Sequence, residues 1–117
     1  MVKLVWCSDV HLNFPNQYGG PYGFGEWLRD NDDTSVGCVI SGDIAEGVSL
    51  QQVMKGFSEG YGKPIYFVSG NHDYYGSSWE AVNKSTAEWA IGDPHWLRKE
   101  GVIELAPDLA ICGNEGW

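Results

Sequence analysis

Three short clusters in this chain hold residue types that ligate cations and move protons: Ser8-Asp9-Val10-His11, Ser41-Gly42-Asp43 and Ser69-Gly70-Asn71-His72-Asp73. In extended backbone, residues i and i+2 point to the same side, so Asp9 and His11 can grip one ion while Val10 turns away. Asp9 and Asp43 repel each other in a dry pocket unless they are protonated or bridged by a cation. A mixed set of carboxylate, imidazole and amide suits a borderline divalent metal such as Mn, Fe or Zn. It suits neither a thiolate zinc site nor an all-oxygen calcium cage. Gly42 and Gly70 fit sharp exits where the backbone passes close to a neighbour. Each cluster alone has a plainer explanation. Asp9 and His11 make a polar pair at a strand end, Asp43 an Asx turn or helix cap, and Asn71, His72 and Asp73 a turn of αL-tolerant residues.

The elements that must position these groups are legible as apolar runs. Leu4-Val5-Trp6-Cys7, Gly37-Cys38-Val39-Ile40 and Ile65-Tyr66-Phe67-Val68 each lead into one cluster. Their near-continuous apolarity predicts strands covered on both faces. Between the second and third, Ser49 and Gln52 form a capping-box pattern ahead of Leu50, Val53, Met54 and Phe57 at helical spacing. A second helix is predicted from Ser77, with Glu80 at its third position and Trp79, Val82, Thr86 and Trp89 along one face. Pro94 opens a short helical turn, and Val102 to Leu105 and Leu109 to Cys112 read as two final strands joined by Pro107-Asp108.

Strand and helix in alternation predict an α/β fold, a layered and mainly parallel sheet flanked by helices with right-handed crossovers. Ligands bind beyond the carboxyl ends of the strands in such sheets, so the three clusters converge on one site. The stretch from Asn13 to Gly25 reads as a long irregular loop, and Tyr18, Tyr22 and Phe24 on it are candidates for stacking against a substrate.

Composition narrows the partners. The 117 residues carry a formal net charge of −9 with only seven Lys and Arg, which excludes nonspecific nucleic-acid binding through a basic surface. Action on phosphate esters then needs positive charge from a bound cation. No run is apolar and long enough to span a membrane. Cys7, Cys38 and Cys112 occur singly, without a C-x-x-C pair, and read as buried free thiols of a reducing, cytoplasmic setting. Gly56-Phe57-Ser58-Glu59-Gly60 matches a nucleophile elbow by letter, but a helix precedes it and a strand follows, the reverse of what that elbow needs. Asp30, Asp32 and Asp33 read as a solvated helix end, and His95 as a surface or helix-start residue.

Asp-x-His, Gly-Asp and Gly-Asn-His-Asp, in this order after successive strands, resemble the first three signatures of the calcineurin-like metallophosphoesterases. Tyr74-Tyr75-Gly76 and the Ile111-Cys112-Gly113 run before Gly116-Trp117 are looser similarities. The resemblance implies that Asp9 and His11 bind a first divalent ion, that Asp43 bridges two ions, and that Asn71 binds the second. It further implies that His72 assists the leaving group or contacts the phosphate and that Asp73 orients His72. The activity implied is hydrolysis of a phosphate ester by a metal-bound hydroxide.

The family continues with an isolated histidine and a Gly-His-x-His segment, and these 117 residues hold neither. Residues 1–117 are therefore expected to form a single truncated domain, the amino-terminal half of a metallophosphoesterase α/β sandwich. Its missing histidines would come from a partner chain or a second copy, and its unpaired edges favour self-association. The alternative is a metal-binding fragment without turnover, acting through protein contacts.

Overall fold

The computed structural model describes residues 1–32 and 34–116, so the expectations for Asp33 and Trp117 lie outside the described residues. Strands form at Leu4–Cys7 (β1), Gly37–Ser41 (β2) and Ile65–Val68 (β3), and His95–Trp96 adds a short fourth (β4). They make one parallel sheet in the order β1-β2-β3-β4. Parallel neighbours need crossovers, and the helices Pro21–Asn31 (α1), Leu50–Tyr61 (α2) and Trp79–Trp89 (α3) supply them.

The register sets Cys7 opposite Ile40 and Ile40 opposite Phe67, so these three point to one face of the sheet. Leu28 of α1, Met54 and Phe57 of α2 and Val82 of α3 join Ile40 and Phe67 in a single buried cluster. The three helices therefore pack on the same face, as right-handed crossovers demand of a sheet that grows in one direction. The expectation of strands covered on both faces is corrected by this arrangement. On the opposite face Trp6 is 73% exposed, its indole N–H donating to Ser41 Oγ at 2.9 Å. Cover on that side comes at β3 and β4, where Tyr66 stacks on His95 and Gly113 passes against Val68.

The first five residues of α1, Pro21 to Gly25, fall within the stretch expected to be loop, because Pro21, Gly23 and Gly25 are poor helix formers. Its glycines answer to packing. A Cβ on Gly25 would lie 2.5 Å from the Phe57 carbonyl, and one on Gly60 would collide with the Tyr22 carbonyl. Gly56 and Gly60, one turn apart on α2, let the two backbones touch. The elbow-like Gly56-to-Gly60 pentapeptide is a helix crossing.

Local details differ from expectation at three other points. Ser49 precedes α2 without capping it; its hydroxyl donates to the Glu46 carbonyl at 3.0 Å and closes a turn instead. The cap of α3 is Ser78, one residue later than predicted, accepting from the Ala81 N–H at 3.1 Å. Pro94 leads into β4, and the helical turn follows at Leu97–Glu100 (α4). The final strands, Ile103–Ala106 (β5) and Leu109–Ile111 (β6), pair antiparallel in a separate hairpin. All three cysteines are free; Cys38 is buried and Cys7 partly so, whereas Cys112 is exposed, against expectation. Among the described residues no helix is long and apolar enough to cross a membrane.

Candidate metal centre

Beyond the ends of β1 and β2 the two loops continue side by side. The Asp9 N–H donates to the Gly42 carbonyl at 3.1 Å, that of His11 to Asp43 at 3.0 Å, and that of Leu12 to Ile44 at 2.8 Å. This ladder carries Asp9, His11 and Asp43 together, with ligand atoms that all lie within 4.8 Å of one another. The local reason differs from the expected one. Extended backbone was to place Asp9 and His11 on one side, yet both are left-handed, with φ of 56° and 42°, and Asp43 is too, with φ of 54°. Non-glycine residues in this region are uncommon and cost on the order of 1–3 kcal/mol each, so they persist only where neighbouring bonds hold them. Three at one place mark a site held in shape by its surroundings.

The third strand tip closes on the same point. Gly70 lies so near Asp43 that a Cβ there would strike the Asp43 carboxylate, which only glycine avoids. The His72 N–H donates to Asp43 Oδ1 at 3.0 Å, and its ring meets the His11 ring edge-on at 4.9 Å between centroids. Asn71 stands between the two residues that touch Asp43, with its amide donating to the Tyr75 hydroxyl at 3.0 Å. Tyr75 in turn packs its ring 4.3 Å from His72.

Asp73 has a different place. It is fully buried, and its Oδ1 accepts from the Ile44 and Ala45 N–H groups and its Oδ2 from that of Gly70, each at 2.8 Å. The carboxylate ties the Asp43 turn to the Gly70 turn. The expectation that it orients the His72 ring is corrected, since its bonds go to backbone. Burial pushes its carboxyl above the ordinary range, and the N–H groups of Gly70, Ala45 and Ile44 oppose that shift.

Asp9 is shifted the other way. The Ser8 hydroxyl donates to it at 2.5 Å and holds its carboxyl below the ordinary range, with Asp43, His11 and His72 adding smaller contributions in the same direction. Two carboxylates and an imidazole crowded at this distance form a donor set that fits a borderline divalent cation, which relieves their mutual repulsion.

The sequence pointed to Ser8 only as part of a cluster and left Phe14 unremarked, although its ring lies 6.0 Å from that of His11. Tyr75 was visible only within the Tyr74-Tyr75-Gly76 similarity, with no role attached to its hydroxyl. Of the stacking candidates, Tyr18 and Phe24 pack with Trp27, and Phe24 reaches Phe57 of the core, whereas Tyr22 is exposed. His95 is tied to Glu100 at 2.7 Å in β4 and α4.

The description "calcineurin-like phosphoesterase" belongs to the family model that matches residues 2–116. This chain belongs to the calcineurin-like phosphoesterase family. Comparison with curated proteins and with solved structures finds no match. The calcineurin-like phosphoesterases are metal-dependent enzymes that act on phosphate esters, and the Asp9–His11–Asp43 group is where an ion can be held in this one.

Proposed function

We propose that this protein hydrolyses phosphate esters with two divalent ions held at its strand tips. The observation that carries the reading is the meeting of Asp9, His11 and Asp43 within 4.8 Å. Asp9, His11 and Asp43 hold the first ion. Asp43 and Asn71 would hold the second, Asn71 through its amide oxygen while its NH₂ keeps the bond to the Tyr75 hydroxyl. A divalent ion held there would supply Lewis acidity, offsetting the charge of phosphoryl oxygens and making water a better nucleophile. His72, against His11 and beside Asp43, is placed to protonate the leaving oxygen or to donate to a phosphoryl oxygen. Asp73 is a positioning residue, since its three bonds keep Gly70 closed on Asp43. Mn, Fe and Zn all suit this donor set. Three free thiols accord with a reducing, cytoplasmic setting.

The test is hydrolysis of p-nitrophenyl phosphate with Mn²⁺ by the wild type and by Asp43→Asn. The wild type should turn over at least ten times faster; equal rates would end the claim.

A second reading has its own support. The chain has three histidines, and the third, His95, is occupied with Glu100 and stacked on Tyr66. A single imidazole then serves the ligand cluster, which favours a metal-binding protein that works through protein contacts or that borrows ligands from a second copy or a partner. One weakly held ion per chain without turnover supports that reading. Two tight ions per assembled site, with a light-scattering mass above that of one chain, supports shared catalysis.

A further inference from the structure

We infer that the ester accepted by this site has an uncharged, largely aromatic or apolar leaving group, seated in the groove that opens beside His11. The inference rests on the phosphoesterase reading above and names its substrate class. Leu12 and Asn13 directly follow His11 and line two adjoining clefts of about 450 and 410 Å³. The clefts share Leu12, Asn13 and Pro21, so together they form one groove between the segment 12–21 and the outer side of α2. Phe14 stands at the end nearest the ligand cluster, half-exposed and 6.0 Å from the His11 ring. Tyr22 and Val53 add an aromatic and an aliphatic wall farther along.

Charge decides the occupant. None of the residues lining either cleft carries a formal charge, in a chain with 16 acidic and seven basic residues. A leaving group bearing a second phosphate or a carboxylate meets no Lys or Arg in the groove, and an ammonium group meets no carboxylate. Either would lose water without a counter-ion. A ring gains the faces of Phe14 and Tyr22, and a neutral hydroxyl can bond Asn13 or Gln52.

Phenylphosphonate and methylphosphonate carry the same anionic head on a bond that hydrolysis does not cleave. Titrated calorimetrically into the full chain with saturating Mn²⁺, the phenyl compound should bind at least tenfold more tightly. Tyr22→Ala should remove most of that preference and leave methylphosphonate binding unchanged. Gln52→Lys, an exposed position on α2, should raise the affinity for phosphonoacetate at least fivefold. Equal affinities of the two phosphonates for the wild type, or a preference that survives Tyr22→Ala, would overturn the groove assignment while leaving phosphate-ester chemistry standing. Failure of both phosphonates to bind the Mn²⁺-loaded protein would overturn the phosphoesterase reading, and this inference with it.

Discussion

Asp73→Asn isolates the tie between the second and third strand tips. The substitution keeps shape and removes charge and one acceptor. The asparagine oxygen can still take the Ile44 and Ala45 N–H groups, but its NH₂ then faces the Gly70 N–H, donor against donor, where Oδ2 accepted at 2.8 Å. Leaving the partly buried Gly70 N–H without its charged acceptor costs about 3 kcal/mol, the upper end for a lost partner because the group removed is ionised. Against this, the wild type carries the cost of burying a carboxylate, the same burial that pushes its carboxyl above the ordinary range. The net penalty is therefore about 2–3 kcal/mol. For 117 residues the unfolding entropy is on the order of 0.25 kcal/mol/K, so Tm should fall by about 8–12 °C. Thermal melts of the metal-free protein, followed by tryptophan fluorescence in EDTA, read this directly. At low temperature, where the variant stays folded, Mn²⁺ affinity should drop as well, because Gly70 is no longer clamped on Asp43. A Tm within about 3 °C of the wild type would refute the assignment of Asp73 as the tie.

Three further outcomes follow from the geometry. Asp9→Gly relieves a left-handed backbone and loses the Ser8 hydrogen bond with the weaker contributions of Asp43, His11 and His72, so metal-free stability should stay within about 1 kcal/mol while Mn²⁺ affinity falls at least tenfold; a loss beyond about 2 kcal/mol in urea unfolding would show that the Asp9 backbone is unstrained. Gly60→Ala forces a methyl group into the Tyr22 carbonyl and should cost about 1–3 kcal/mol; an unchanged urea midpoint would mean that α1 and α2 are not in backbone contact. Asp32 is held down to about 2 by the Ser35 hydroxyl and by Lys3, so its contribution is present above its ordinary value near 3.8 and is lost as pH falls toward 2. The stability gap between wild type and Asp32→Asn should therefore be steady from pH 7 to pH 5 and close by pH 2; a gap that widens on acidification contradicts the sign.

The strands were readable because a parallel sheet needs unbroken apolar runs, and Gly37 to Ile40 and Ile65 to Val68 have them. Periodicity served α2 equally well, since Val53, Met54 and Phe57 are buried at their expected spacing. The first turn and a half of helix α1 was hidden because the reason for Gly25 lies on another helix, at the Phe57 carbonyl. For the candidate site, the convergence of Asp9, His11 and Asp43 followed from topology alone, whereas their left-handed backbones did not. Strand periodicity gave the right neighbours for a wrong local reason. The part played by Asp73 depends on N–H groups 28 and 29 residues earlier in the chain, which no local pattern reveals. The same holds for Tyr75, whose hydroxyl meets Asn71 only once the turn at 72–74 has folded.

Strands that are neighbours in the sheet are also successive in the chain. Growth on the ribosome can thus follow the order of assembly: each new strand docks on the edge its predecessor left, and no earlier pairing has to be undone. Asp9, His11 and Asp43 all belong to the first two strand tips, so a nascent chain holds the whole trio well before Gly70 and Asp73 emerge to lock it.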